Sequence, residues 1–329
     1  MSQKTALPPL SDRDRRLIAA LQCDGRVTAE RAAAVLGYGV RDVHRRLKAM
    51  TGDGSVRVLG RPAPRTGTDA GAMLLRIRVL RGKIDVITAG LAARADIPFI
   101  DVTAGGDEIS AVLLPSPGPS HQLVFQKLPV TNAVTSVATQ TVLHVFADSS
   151  DWRLDALTQD ERAALTPAVA QHDTARILDE TDEAIIAALE EDGRLPAAAV
   201  AEHTAIAEST VRRRLATLLS QRSLTTEVVV DPRRLGMDVD ANIWMEVPPD
   251  HLDETGRALA AHPSVHGAMA TTGKANLCVA VWLRDAEHLY RFLTRDLSGH
   301  AITGTETVLI GRAVKRPGRG QHHQNRPHK

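Results

Sequence analysis

The sequence predicts an α+β chain in which a three-helix segment followed by a βαββαβ segment occurs twice. Three observations predict it: an internal repeat, a switch from helical to strand periodicity within each copy, and a composition typical of small soluble domains. In the repeat, residues 10–26 (LSDRDRRLIAALQCDGR) return as residues 178–194 (LDETDEAIIAALEEDGR), a shift of 168. Of the 47 positions from 10 to 56, 16 are identical under that shift. It also maps VHRRL (43–47) onto VRRRL (211–215), and residues 103–109 onto 271–277. Near the end of each copy TQTVL (139–143) matches TETVL (305–309) at a shift of 166, which implies a two-residue loss in the second copy. Self-similarity of this kind marks a duplicated two-part unit rather than one large enzyme domain.

The elements follow in order. Leu17, Ile18 and Leu21 give a helix over 12–23 its apolar face, and Asp24-Gly25 ends it. Thr28 is the N-cap of a second helix that stops at Gly37. Val40, Val43, Leu47 and Met50 then give a third helix its inward stripe. In the second copy Pro196 opens a helix, residues 204–207 break it, and Val211, Leu215 and Leu218 stripe the last one. Two short helices joined by a tight turn make a helix-turn-helix. Beyond them, the second copy reads strand 239–247, helix 251–262, strands 265–273 and 276–283, helix 285–297 and strand 304–312. That order is the ferredoxin-like split βαβ pattern. The first copy repeats it as strand 72–80, helix 86–95 and strands 99–106, 108–115 and 137–146, with Pro115, Pro117 and Gly118 obscuring its second helix.

The chain has 329 residues with 40 Lys+Arg and 39 Asp+Glu, so no net polycation advertises a nucleic-acid or membrane partner. Aromatic content of 3% disfavours stacking platforms for single-stranded nucleic acid. Cys23 and Cys278 supply neither a disulfide framework nor a cysteine zinc site, and no secretory or membrane-spanning pattern appears; a cytoplasmic protein is expected. No cofactor motif or metal site is expected, and no enzyme motif such as a P-loop or G-x-S-x-G occurs.

The third helix of each copy carries the functional reading. With its apolar stripe turned inward, the first copy leaves Arg41, Asp42, His44, Arg45 and Lys48 outward. The second leaves Ser209, Thr210, Arg212, Arg213 and Ala216. Short hydroxyls at a helix start followed by arginines suit major-groove insertion, where Arg grips guanine in a bidentate way. The candidate residues for double-stranded DNA are therefore Arg41, His44, Arg45, Lys48, Ser209, Thr210, Arg212 and Arg213. Arg46 and Arg214, nearer the inward face, are assigned to ion pairs with Asp14 and Asp182.

The segments LDETDEAIIAALEEDGR, STVRRRLATL, VVVDPRRLG and TTGKANLCVAVWLRDAEHLYRFL resemble the Lrp/AsnC family of transcription regulators. The likeness covers nearly all of the second copy and most of the first. It implies two winged helix-turn-helix domains alternating with two ferredoxin-like regulatory domains: 8–62, 70–148, a linker 149–175, 176–228, 237–314 and a basic disordered tail 315–329. It also implies a sequence-specific DNA-binding regulator, not an enzyme, with a small effector such as an amino acid at the surface where regulatory domains pair. The family's effector loop falls on Gly105, Asp107 and Glu108 in the first copy and on Thr272, Gly273 and Asn276 in the second, where Asn replaces an acidic residue. Pairing within the chain gives a pseudo-dimer and pairing between chains a homodimer with four reading heads; the homodimer is favoured. The tail from Arg312 onward is basic and acid-free, serving either as a DNA clamp or as a solubilising extension, and His322 and His323 are not counted as a metal site. Two alternatives remain: a decarboxylase of the tetrapyrrole pathway, which resembles the same family, and an oligomerising corepressor that no longer reads DNA.

Overall fold

The computed structural model describes residues 9–62, 71–115, 128, 131–167 and 178–316. They form two compact units, one from the described residues of 1–65 and 153–236, the other from those of 66–152 and 237–329.

The first unit holds both three-helix segments. In the first segment are α1 (Asp12–Cys23), α2 (Ala29–Leu36) and α3 (Val40–Gly52), followed by strand β1 (Val56–Pro62). Ser11 caps α1 in a capping box with Asp14, Thr28 caps α2, and Gly37 closes α2 at φ +70°. Ahead of the second segment lies a helix inside the stretch expected to be a linker, α5 (Gln159–Leu165), with Thr158 and Glu161 as its capping box; α4 (Ile84–Ala92) belongs to the other unit. The second segment has α6 (Glu180–Leu189), α7 (Ala197–Thr204), α8 (Glu208–Ser220) and strand β6 (Leu224–Val230). Ile185, Leu189, Val200, Val211 and Leu218 form its buried core. Val40, expected on the inward stripe of α3, is exposed, because the core is met by Val43 and Met50.

Neither copy carries a hairpin wing among the described residues. The single strand after each helix triplet pairs instead with its counterpart, β1 antiparallel to β6, in a register that sets Leu59 opposite Glu227. Those two residues are themselves 168 apart, so a pseudo-twofold axis passes between them. The contacts around the axis are reciprocal. Arg26 donates to the carbonyls of Gly193 and Leu195, and Arg194 donates to those of Gly25 and Val27. Gly193 N–H donates to Val58 O at 2.7 Å. A Cβ at Gly193 would stand 2.8 Å from Gly60 N, so only glycine allows this approach.

The second unit is a closed eight-stranded barrel. Its first-copy members are β2 (Met73–Val79), α4 (Ile84–Ala92), β3 (Phe99–Thr103), β4 (Glu108–Leu113) and β5 (Val134–Ala147). From the second copy come β7 (Val239–Glu246), α9 (Leu252–Ala260), β8 (Val265–Thr271), β9 (Leu277–Leu283), α10 (Ala286–Arg291) and β10 (Gly304–Lys315). The strand order β10-β3-β4-β2-β5-β8-β9-β7 joins the copies at two seams, β5 to β8 and β10 to β3. The two halves of the barrel therefore pair within the chain. This corrects the expectation of pairing between chains: both sheet edges are used up, and a homodimer of this chain has to form through other surfaces.

Every ladder in the barrel repeats at 168. Met73 faces Thr141 as Ala241 faces Leu309, Arg78 faces Ser136 as Glu246 faces Gly304, and Val142 faces Thr271 as Ile310 faces Thr103. The implied two-residue loss is thus corrected: Thr141 corresponds to Leu309, and TQTVL is not the structural partner of TETVL. Helix-facing cores hold Leu75, Ile77 and Ile100 in one half and Ile243, Val279 and Phe292 in the other. The interior face carries Leu74, Val142, Trp244 and Cys278. Burial pushes the Cys278 thiol up to about 12, so it acts as a small buried apolar group.

Residues 312–316, expected in the unstructured tail, are part of this unit. Arg312 to Lys315 continue β10, and Arg316 is inserted between Asp101 at 3.0 Å and Asp240 at 2.7 Å. Residues 317–329, with His322 and His323, lie outside the described residues, as does the stretch 116–127 expected to hold the first copy's second helix.

Candidate nucleic-acid interface and effector loops

The helix triplets orient α3 and α8 by burying one stripe of each and anchoring the base of each with an ion pair. Arg46 meets Asp14 at 2.9 Å, and Arg214 meets Asp182 at 3.3 Å and Asp179 at 2.7 Å. These are the expected pairings at matched positions. In both cases the N-cap box of the preceding first helix supplies the carboxylate. The third helix of each triplet is thereby tied to the first.

Arg41, His44, Arg45 and Lys48 are exposed on α3, and Ser209, Arg212 and Arg213 on α8, with Thr210 half-buried. The two surfaces differ in their charge pairing. Asp42 accepts from both Arg45 and Arg46 and lies 3.6 Å from Arg13. The hydrogen bond from Arg46 leads the effects that hold its carboxyl below the usual range. An acid on the outward face would repel phosphate; here it instead holds the Arg45 guanidinium in place. On α8 Glu208 plays the matching part toward Arg212, while Arg213 makes no ion pair among the described residues. Sequence reasoning assigned no role to Glu208 or Arg13; the i, i+4 spacing of Glu208 and Arg212 was the available signal.

The candidate effector residues do not converge on one free carboxylate. Glu108 is buried and ion-paired to Arg76 at 2.7 Å and Arg78 at 3.0 Å, so its charge is already matched. Arg76 also binds Glu306 of the second copy at 2.7 Å, which ties the two halves together. Asp107 is exposed in a turn closed by Gly106 at φ +71°, and Gly105 crowds it, a Cβ there standing 2.9 Å from its carboxylate. In the second copy the Asn276 amide accepts from Val247 N–H at 2.9 Å and donates to Val247 O at 2.8 Å. Thr272 Oγ1 accepts from Thr141 N–H at 2.9 Å across the seam, and Gly273 turns the chain at φ +100°. Glu108 and Asn276 are thus framework groups. Among the described residues no cluster of His, Cys, Asp and Glu is arranged to hold a metal ion, and no helix is long and apolar enough to cross a membrane.

Comparison with known proteins agrees with this geometry. Residues 178–219 match the AsnC-type helix-turn-helix domain, and residues 240–319 match the Lrp/AsnC ligand binding domain. The HTH-type transcriptional regulator FL11 of Pyrococcus furiosus is 30% identical over 135 residues, which span 41% of this chain and 89% of that protein. The HTH-type transcriptional regulator AldR of Mycolicibacterium smegmatis is 31% identical over 153 residues, 44% of this chain and 88% of that one. Among solved structures, the siroheme decarboxylase NirDL in complex with an iron-uroporphyrin III analogue superposes with a TM-score of 0.58 over 93% of both chains, at 16% identity. At that identity the likeness is one of fold.

Proposed function

The chain belongs to the Lrp/AsnC family of transcription regulators, and from that premise we propose that it is a cytoplasmic, sequence-specific DNA-binding protein in which two complete family units are fused in tandem. The observation that carries this reading is the pair of helix-turn-helix heads joined about the Leu59–Glu227 axis, each presenting an exposed basic helix. Arg41, His44, Arg45 and Lys48 on α3 and Ser209, Thr210, Arg212 and Arg213 on α8 are the residues assigned to duplex DNA. The order of domains given in the sequence analysis is part of the proposal, with the wings replaced by the shared β1–β6 ribbon, α5 of the expected linker counted with the helix-turn-helix unit, and Lys315 and Arg316 moved from the tail into the second regulatory domain.

Regulation by a small effector belongs to the same proposal. Because Glu108 is neutralised by Arg76 and Arg78, the carboxylate available to an ammonium-bearing ligand in the first copy is Asp107. The second copy's loop carries hydroxyl and amide groups and the exposed Lys274, which pairs with Glu246 at 3.0 Å, but no carboxylate, and so suits a neutral or anionic ligand better.

Fluorescence anisotropy of the chain on its own upstream intergenic DNA, against a scrambled duplex at two salt concentrations, tests the reading. A preference of about tenfold or more that survives the higher salt supports sequence reading, since phosphate contacts alone weaken alike on both duplexes. Equal, salt-labile binding contradicts it. The fold likeness to NirDL keeps the decarboxylase reading as an alternative. A Soret-region shift on adding a tetrapyrrole, together with absent DNA binding, would favour it.

A further inference from the structure

We infer that one chain reads one asymmetric duplex site, made of two unlike half-sites in inverted orientation, with the first head serving mainly as phosphate anchor and the second as base reader. This rests on the DNA-reading function proposed above and specifies the kind of site that function requires.

The first ground is the symmetry of the first unit. The β1–β6 register is centred on Leu59 and Glu227, which are repeat equivalents, so α3 and α8 are related by a near-twofold axis inside one compact unit. The reciprocal Arg26 and Arg194 contacts and the Gly193–Val58 hydrogen bond hold the two heads together. Heads related by a twofold axis meet the two strands of a duplex in equivalent ways, so the half-sites they read are inverted. In a homodimer identical heads make the site a palindrome. Here the axis relates two heads of different sequence.

The second ground is the extent of that difference. Arg41 corresponds to Ser209, Asp42 to Thr210, His44 to Arg212 and Lys48 to Ala216. Only Arg45 and Arg213 share an identity, and their settings differ: Asp42 holds Arg45, whereas Arg213 has no ion pair among the described residues. A preoriented guanidinium and a free one, on helices with otherwise unlike groups, do not select the same bases. Thr210 and Ala216 also offer methyl groups that suit a thymine, for which α3 has no equivalent.

The third ground is charge. Residues 10–60 hold 10 basic and 6 acidic residues, net +4, and residues 178–228 hold 5 and 10, net −5. Counterion release scales with the number of phosphates neutralised. Phosphate binding therefore falls mainly to the first head, through Arg41, Lys48 and their neighbours. Seven of the second head's ten acids lie in or beside α6 rather than α8, so its contact with a duplex rests on α8, where its hydroxyls and arginines are placed for base edges.

The test starts with selection from a random duplex library using the full chain. Binding is then measured on the selected site and on the two palindromes built by doubling its left or its right half. A non-palindromic consensus and one chain per duplex are expected, with binding weaker by about tenfold on the palindrome that doubles the first head's half-site, where the second head loses its bases, and a smaller loss on the other palindrome. Arg41→Ala and Lys48→Ala should each lower the salt slope by about one and weaken all duplexes alike, whereas Arg213→Ala should relax preference in one half-site only. A gain of specificity separates recognition from misfolding. The combined variant Ser209→Arg, Thr210→Asp, Arg212→His and Ala216→Lys should shift preference to the palindrome of the first head's half-site. A palindromic consensus from the unmodified chain, or equal binding to either palindrome, overturns the inference while leaving DNA reading intact. No enrichment of any sequence overturns DNA reading, and this inference with it.

Discussion

Arg76 and Trp244 face each other inside the barrel, the guanidinium carbon 5.9 Å from the indole centroid, and they are the same position of the two copies. In a twofold dimer of identical chains a residue so placed faces itself. Here the two copies differ, so the cation meets an aromatic face and also binds Glu306 across the halves. Trp244→Arg sets two guanidiniums against each other in a poorly solvated interior. A loss of about 3 kcal/mol in urea unfolding is expected, with Trp244→Phe retaining most of the stability. Equal stability of Trp244→Arg and Trp244→Phe would contradict the cation–aromatic pairing.

Two residues of the second copy sit in left-handed backbone where the first copy has glycine. Ala205, at φ +56°, corresponds to Gly37, and Arg222, at φ +53°, to Gly54. Each Cβ costs about 1 kcal/mol in that conformation. Ala205→Gly and Arg222→Gly should each raise the melting temperature, by a few degrees for a stabilisation of that size. A fall in either case would show that the glycine's unfolded-state entropy outweighs the relieved strain.

The Arg26–Arg194 exchange gives a prediction about charge and shape together. Burial leads the effects lowering the pKa of both guanidiniums, and each donates to two backbone carbonyls of the other copy. Arg26→Ala leaves those carbonyls unpaired and should destabilise the chain by about 2 kcal/mol. Arg26→Lys should recover only part of it, because an ammonium cannot span two carbonyls as a planar fork does. Full recovery by lysine would mean that charge alone suffices.

The Arg316 site predicts an acid-sensitive barrel. Burial pushes the Asp240 carboxyl up, but the neighbouring His266 ring and the Arg316 guanidinium outweigh it and hold it at about 2. The unfolded chain, with an ordinary value of 3.8, takes up the proton first as pH falls. The stabilisation is therefore complete above about pH 5 and lost toward pH 2, a change of ~2 kcal/mol. His266, lowered by burial, adds to the same slope from about pH 6.5 downward, since only the unfolded chain protonates it readily. Asp240→Asn should lower stability at neutral pH and flatten the profile between pH 5 and 2. An unchanged profile would place the acid sensitivity elsewhere.

Much of this was legible in the sequence because it is local. The box of Ser11 and Asp14, the Thr28 cap, the Gly37 stop and the stripe of Val211, Leu215 and Leu218 are each written within a few residues. What escaped depends on partners far along the chain. A lone strand such as β1 does not announce that it pairs with β6. Arg316 reads as part of a basic tail until Asp101 and Asp240 are brought beside it. Glu108 looks free for a ligand until Arg76 and Arg78 are seen on it. The match of TQTVL to TETVL misled for another reason: a two-residue slip in a strand keeps every side chain on its own face, so the apolar pattern cannot reveal it.

In the proposed function α3 and α8 carry the chain to DNA. The most direct measurement is genome-wide occupancy of the unmodified chain and of the Arg45→Ala, Arg213→Ala double variant, with circular dichroism and melting temperature confirming that both are folded. Discrete occupied sites are expected, which the double variant loses while its fold and abundance persist. Occupancy unchanged in a folded double variant would contradict that function.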